Sequence, residues 1–237
     1  MDPLAHVVGC NWQNLAGRHF YMPSPAAQDY LKAIYKLQSD SAVSTTDIAR
    51  SLKVSSASVT NMIKRLAHAG LLMHESYRGV RLTEAGTKIA LETVRHHRLL
   101  ETYLKERLGY SWADMHEEAE HLEHHISEAF EERIDALLGH PTHDPHGHPI
   151  PTADLRLVEV DTVPLACAEA GQTVFVDHVS DSDVGILQYL EDIGLRPQST
   201  VTVVAKAPFD GPLTLSIDGK ECVLGWQVAS SVHVAVR

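Results

Sequence analysis

Cysteine is scarce in this chain: three in 237 residues, Cys10, Cys167 and Cys222, far apart and never as a CxxC pair. That spacing argues against a disulfide framework and predicts reduced thiols in a cytosolic setting. Basic residues are also in deficit, 20 Lys and Arg against 31 Asp and Glu, for a formal charge of −11. A chain so acidic does not coat nucleic acid indiscriminately. No apolar run reaches membrane-spanning length, and the N-terminus lacks a charged segment leading into an apolar one. The expected location is therefore the cytoplasm, with no membrane partner. There is no nucleophile–base pairing and no phosphate-cradling glycine loop, so the chain does not read as an enzyme and no small organic substrate is expected. What remains is ordinary: 44% hydrophobic and 22% charged residues, enough for one large core or two to three small ones.

The charge is uneven. Residues 25–95 hold ten Lys and Arg against six acids, and residues 96–140 hold four against eleven. A basic module followed by an acidic one suits the first to an anion and the second to cations. The acidic stretch is HHRLLETYLKERLGYSWADMHEEAEHLEHH, residues 96–125. Read as helix, it places His116, Glu120, Glu123 and His124 on one stripe, with His97 and Glu101 as a second i, i+4 pair upstream. Imidazoles and carboxylates without thiolate suit Mn²⁺, Fe²⁺, Co²⁺ or Zn²⁺, and the predominance of oxygen leans toward the harder ions. The plainer alternative is an acidic surface helix with solvated histidines.

Residues 1–24 show no sustained period and read as a loose extension. Ser24-Pro25 then has the form of a helix N-cap and first-turn proline, followed by Tyr30, Leu31, Ile34, Tyr35 and Leu37 as one buried side. In 44–70, Ser44 and Thr45 cap a short helix carrying Ile48, Ala49 and Leu52. Val54-Ser55 turns, and a longer helix follows with Val59, Ile63 and Leu66 inward, stopped by Gly70. A hairpin with a Tyr77-Arg78-Gly79 tip comes next, and another helix capped at Thr83. Together these predict a winged helix-turn-helix over 25–95. Ser55, Ser56, Ser58, Thr60 and Asn61 would meet base edges or phosphates, with Lys64, Arg65 and Arg78 on backbone phosphate. The alternative for these polar residues is an ordinary solvated helix face.

Past a helical segment at 96–141, residues 140–152 (HPTHDPHGHPIPT) break every periodicity and read as a solvated linker, taken as 142–154, whose His143, His146 and His148 capture metal only adventitiously. From 155 to 237, short β-rich runs alternate with the turn signals Asp210-Gly211 and Asp218-Gly219 and one helical insert. A small, partly open barrel is expected. The fold class is thus mainly α with β: a winged helix-turn-helix, a helical segment and a small β-barrel, the last two identified by a family resemblance as a helical metal-binding and dimerisation domain and an SH3-like β-barrel.

The order of these parts resembles the diphtheria-toxin-repressor and manganese-transport-regulator family of metal-dependent transcription factors. DYLKAIYKL at 29–37, SYRGVRLTEAG at 76–86, His97 to Glu101, His116 to His124 and HDPHGHPIP at 143–151 carry the likeness. The resemblance implies a primary ligand set of Asp29, Glu120, Glu123 and His124, and a neighbouring set of His97, Glu101 and His116. It also implies Mn²⁺ as the favoured ion and Fe²⁺ as the second, with Zn²⁺, Co²⁺ or Cd²⁺ able to substitute, because iron-sensing members place a cysteine where Glu120 stands. One departure is Lys32, where some manganese regulators carry a second acid in the first helix. His96, His121 and His125, one position off the stripe, read as surface or supporting residues. The linker resembles a CPHG-type connection, with His143 in the cysteine position, and the Ser180–Asp183 loop offers either a further metal-binding aspartate or helix-capping acids. The expected protein is a homodimeric, metal-activated regulator on a palindromic double-stranded operator. A winged-helix regulator indifferent to metal, or a metallohydrolase built on the His/Glu helix, are the other classes.

Overall fold

The computed structural model describes residues 23–38, 41–75, 78–158 and 160–235. The extension expected over 1–24 and the residues Ser76 and Tyr77 of the hairpin tip fall almost wholly outside them. The chain divides into two compact units: residues 1–91 with 153–155, and residues 92–152 with 156–237.

The first unit opens with α1 (Pro25–Leu37), where the Ser24 carbonyl accepts from Ala27 N and Gln28 N. Tyr30, Leu31 and Ile34 are buried as the period predicts, but Leu37 is 40% exposed, because the helix ends there and Gln38 leaves it in extended conformation. α2 (Thr45–Ser51) and α3 (Ser56–His68) form the helix-turn-helix. Ser44 Oγ accepts from Asp47 N and Ser55 Oγ from Ser58 N, each satisfying a donor that the first turn leaves open. β1 (Leu72–Glu75) and β2 (Gly79–Leu82) pair antiparallel as the wing, and Val43 adds a bridge to Val80. Gly79 has φ +111°, and a Cβ there would lie 2.4 Å from Val43 O, so no other residue fits the crossing. Leu31, Ile34, Ile48, Val59, Ile63, Leu66, Val80 and Leu82 close one core.

α4 (Glu84–Leu108) begins at Thr83, whose hydroxyl accepts from Gly86 N. The helical reading of 96–125 needs correction here. Gly109, at φ +73°, stops α4, Ser111 caps α5 (Trp112–Leu122) by accepting from Asp114 N, and Glu123–His125 form a turn. α6 (Glu128–Leu137) follows, capped by Ser127.

The residues taken for a solvated linker are instead packed. Asp144 and His146 are buried, and the loop closes on itself through Ile150 N to Thr142 O. Prolines cannot donate, but their carbonyls still accept, and α4 supplies donors: Arg95 Nη1 to Pro151 O at 2.7 Å and Arg98 Nη1 to Pro149 O at 2.5 Å. Gly147, at φ +91°, lies where a Cβ would meet Asp177 O at 2.2 Å, so glycine alone lets the loop seat on the sheet.

That sheet holds β3 (Thr162–Pro164), β4 (Thr173–Val179), β5 (Thr200–Lys206), β6 (Leu213–Ile217), β7 (Lys220–Leu224) and β8 (Val232–Ala235). The order is β3-β8-β4-β5-β6-β7, antiparallel throughout, with β3 and β7 as edges and no closure among the described residues. Asp218-Gly219, both at positive φ, turn β6 into β7 as the sequence signal requires. α7 (Val184–Asp192) and α8 (Trp226–Ser230) complete the unit. One continuous core joins Leu99, Leu100, Leu104, Trp112 and Met115 of α4 and α5 and Leu187 of α7 to Val176, Val201, Leu215 and Val232 of the sheet. No helix among the described residues is long and apolar enough to cross a membrane.

Candidate metal centre and nucleic-acid interface

Within the second unit, imidazoles and carboxylates from four separate segments converge. The centre is Glu101, from the middle of α4 and only 1% exposed. Its Oε1 lies 3.0 Å from His97 Nε2, one turn earlier on the same helix, and 2.8 Å from His116 Nδ1 on α5. His146, fully buried, brings Nδ1 to 3.5 Å of the same oxygen. The other face of His97 turns to the end of α5, with Nδ1 2.7 Å from Glu123 Oε2 and 3.8 Å from Glu120 Oε1. His124 Nε2 lies 3.4 Å from Glu123 Oε1. The α-helical breaks make this possible: α4 and α5 can fold back on one another only because Gly109–Ser111 interrupt them.

Six of the seven expected ligands therefore gather in one region of this unit. His97, Glu120 and Glu123 form one set with ligand atoms close enough for a single ion. His116 shares a second set with Glu101 and His146, and a third with His97 and Asp181. Asp29 stands in α1 of the first unit, and Lys32, one turn further along, is buried.

Two donors were not singled out as ligands by the sequence: His146, of the second set, and Asp144, which groups with His146 and His148. His146 and Asp144 sit in the loop read as a linker. Register also corrects the reading of His143: Asp144, not His143, directly precedes Pro145-His146-Gly147, and His143 is exposed and bonded only to its neighbour Thr142. The available signal was Asp-Pro-His-Gly-His, since a turn aspartate accepts from backbone N–H groups just ahead of it. Asp144 Oδ1 does so from His146 N at 2.8 Å and His148 N at 2.9 Å. The Ser180–Asp183 loop splits into both of its readings, for Asp183 caps α7 through Gly185 N and Ile186 N, while Asp181 joins His97 and His116. Of the off-stripe histidines, His121 and His125 are exposed. His96 is buried, held by Glu131 Oε2 at 2.9 Å and by the Glu123 carbonyl at 3.0 Å, and so braces the turn that presents Glu123.

The electrostatics match a cation site. Burial alone would raise the Glu101 carboxyl, but His97, His146 and the hydrogen bond from His116 hold it well below the ordinary range. Burial would lower His146, yet Glu101, Asp144 and Asp181 overcome it and raise the ring above its usual value. Asp144 is likewise held low against burial, by His148 and Arg98. Several buried polar atoms make no hydrogen bond: both ring nitrogens of His146 and Oε2 of Glu101. Orphaned ligand-type atoms in a closed, acid-rich cluster cost stability unless something binds them, and a divalent ion meets that need.

In the first unit, the outward face of α3 carries Ser55, Ser56, Ser58, Thr60, Asn61, Lys64 and Arg65, all exposed, and Arg78 is exposed at the wing. The hydroxyls are not equivalent. Ser55 Oγ is committed to Ser58 as a cap, and Thr60 Oγ1 donates to Ser56 O at 2.8 Å. Asn61, Lys64 and Arg65 stand clear of those local bonds. The turn before α3 passes through Lys53 at φ +53°.

Comparison with known proteins agrees with this architecture part by part. Residues 22–80 match the iron dependent repressor N-terminal DNA binding domain, 83–152 the iron dependent repressor metal binding and dimerisation domain, and 163–236 the FeoA domain. The iron-dependent repressor IdeR of Mycobacterium tuberculosis is 32% identical over 225 residues, which cover 86% of this chain and 94% of that protein. The HTH-type transcriptional regulator MntR of Shouchella clausii is 38% identical over 118 residues, 49% of this chain and 82% of that one. Among solved structures, a manganese-dependent transcriptional repressor in complex with manganese superposes with a TM-score of 0.82 at 40% identity, covering 89% of this chain and all of the other. ScaR with bound Cd²⁺ gives 0.76 at 34% identity, covering 89% and 99%. A winged helix-turn-helix, a buried His/Glu cluster on the helices that follow it in the chain and a FeoA-type sheet, in this order and over nearly the whole length of such relatives, place the chain in the iron-dependent repressor family, the DtxR/MntR group of metal-dependent transcriptional regulators.

Proposed function

We propose that the protein is a cytoplasmic, non-enzymatic repressor that binds a palindromic operator as a homodimer when loaded with Mn²⁺, or secondarily Fe²⁺, and controls metal-uptake genes. The observation that carries this reading is the buried cluster around Glu101 and Glu123, with its unsatisfied His146 nitrogens. One ion would be held by Glu120, Glu123 and His124 together with Asp29, and a second by Glu101, His97 and His116, with His146 and Asp181 as further donors. The bound ions supply positive charge to a region where buried carboxylates outnumber cations. Oxygen ligands in the majority, and no thiolate, favour the harder end of the divalent series.

Asp29 belongs to the DNA-binding unit and its partners to the other. If the ligand set draws on Asp29 as the family resemblance implies, metal affinity and DNA affinity would be reciprocal, since an ion that binds the DNA-competent arrangement better must shift the population toward it. Homodimer formation draws support from the exposed apolar side chains Phe130, Leu108 and Leu137 of the second unit; the last two lie at one end, where Arg107 Nη2 donates to Leu137 O. Two copies then offer two α3 helices to the half-sites of a palindrome.

The test is a fluorescence-anisotropy titration of operator DNA at one fixed salt concentration, with Mn²⁺, Fe²⁺, Zn²⁺ and no metal. Mn²⁺ is expected to tighten binding by about a hundredfold, within the usual range of allosteric coupling. Glu123→Ala or His124→Ala abolishes that stimulation while leaving metal-free binding and the circular dichroism spectrum unchanged. Metal-stimulated binding that survives in both variants would leave a metal-independent regulator as the correct reading.

A further inference from the structure

Three more imidazoles line up beyond that cluster, on the sheet side of the second unit. His178 of β4 and His233 of β8 are directly opposite one another in the antiparallel pair. Their rings stack, with centroids 4.4 Å apart and planes 8° from parallel. His148, from the proline-rich loop, leans over His178 at 4.9 Å and 41°. His178 and His233 stand outside the ligand sets around Glu101 and Glu123, whereas His148 also lies within metal-binding reach of Asp144 and His146. Two carboxylates orient them: Asp177 Oδ2 lies 2.9 Å from His178 Nδ1, and Asp144 Oδ2 lies 3.4 Å from His148 Nδ1.

A ladder of imidazoles is a poor structural device, because each ring that protonates repels the next. Burial holds His178 below the ordinary histidine range against the opposing hydrogen bond of Asp177, and burial followed by the neighbouring rings does the same for His233, so both carry a free lone pair at neutral pH. Residues directly opposite on antiparallel strands have Cβ atoms about 4.5–5.5 Å apart, the separation two imidazoles need to share one ion. The χ2 torsion of histidine is broad, so the rings can leave the stack for a common ion without backbone movement. In His178 the carboxylate on Nδ1 fixes the tautomer that leaves Nε2 as the donor, the same support that metal-binding histidines ordinarily have.

We propose that His148, His178 and His233 form a separate metal site on the FeoA-type domain, taking an imidazole-preferring divalent ion such as Co²⁺, Ni²⁺ or Zn²⁺. Without a carboxylate among its direct donors it discriminates against Mn²⁺. The chain would then hold a late transition ion in the sheet domain without displacing the ion at the helical cluster.

The experiment is a Co²⁺ titration of the full-length chain near neutral pH, followed by equilibrium dialysis and by the visible d–d absorption of the bound ion. The double variant His178→Gln/His233→Gln is compared with wild type, and so is His233→Phe, which keeps a ring in the stack and thereby the packing. Both variants are expected to bind one Co²⁺ fewer per chain and to lose one component of the visible spectrum. Mn²⁺ stoichiometry and Mn²⁺-stimulated DNA binding stay at wild-type levels, which separates this site from the proposed sensing cluster. An unchanged Co²⁺ count in the His233→Phe variant overturns the proposal, and so does an equal loss of Mn²⁺ and Co²⁺.

Discussion

Glu120 differs from its neighbours in accessibility. Its side chain is 40% exposed, whereas those of Glu101 and Glu123 are almost wholly enclosed. It is therefore the member of the cluster most open to exchange without disturbing the core. Replacing its hard oxygen with thiolate is expected to shift activation toward softer ions. In Glu120→Cys, the ratio of half-activating Mn²⁺ to half-activating Zn²⁺ should rise by about tenfold, equivalent to roughly 1.4 kcal/mol. Anisotropy curves for the parent and variant with each metal would measure it, and identical rankings would mean that geometry rather than ligand softness sets the preference.

Among the elements, α5 is held at its start by a side chain far away in sequence. Glu191 Oε2, from α7, accepts from Trp112 N at 2.9 Å, and its Oε1 meets Lys105 Nζ of α4 at 2.6 Å. Burial alone would raise the Glu191 carboxyl, but the bonds from Lys105 and Trp112 lower it below its usual value. A depressed folded-state pKa means stability that is present above the unfolded value, near 4.5, and lost as pH falls through the folded one. Glu191→Gln should cost about 1 kcal/mol at pH 7, a figure reduced for partial exposure of the pair. The cost should fade in acid, as pH falls below 4.5 and on through the depressed folded-state value, where the wild-type carboxyl also protonates. Urea unfolding at pH 7 and in acid checks the sign.

The same elements show what was legible in the residues. Ser44 and Thr83, read as caps, accept from Asp47 N and Gly86 N, whereas Ser24 caps with no side-chain bond; apart from Leu37, the apolar period of α1 to α3 places their cores correctly, because both signals are local. Gly109 and Ser111 are equally local signals, yet residues 96–125 read as one helix, since the ligand spacings at 97–101 and at 116–124 are helical on either side of the break. The loop at 140–152 was misread for another reason. Its burial depends on Arg95 and Arg98, some fifty residues away, donating to carbonyls that composition alone cannot reveal as satisfied. Long-range partners decide that segment, and no window of sequence contains them.

Across the whole molecule, DNA contact and metal sensing are separable by experiment. Arg78 lies at the wing and outside every ligand set. If it neutralises a backbone phosphate, its loss lowers the slope of log affinity against log salt by about one unit per contact, and about two in a symmetric dimer. Arg78→Ala is therefore expected to weaken binding to all sequences alike, flatten the salt dependence and leave metal affinity measured without DNA unchanged. An unaltered slope with impaired metal binding would assign the hairpin to the sensing side.

The continuity of the second core has a further consequence, for how the chain can be cut. Leu99, Leu104 and Trp112 share one buried cluster with Leu187, Val203 and Leu215, and Gly147 lies against β4 with no room for a methyl group. The FeoA-type domain is consequently not a removable appendage. A protease entering near residue 155 would leave two fragments still associated, and amide exchange in α5 and β4 should slow together as a single cooperative block. Expressing residues 1–152 alone is expected to expose the apolar faces that Leu99, Leu104 and Trp112 turn to this core and to favour aggregation. Shortening this chain to the length of its compact relatives would require new polar residues on α4 and α5, not merely an earlier stop codon.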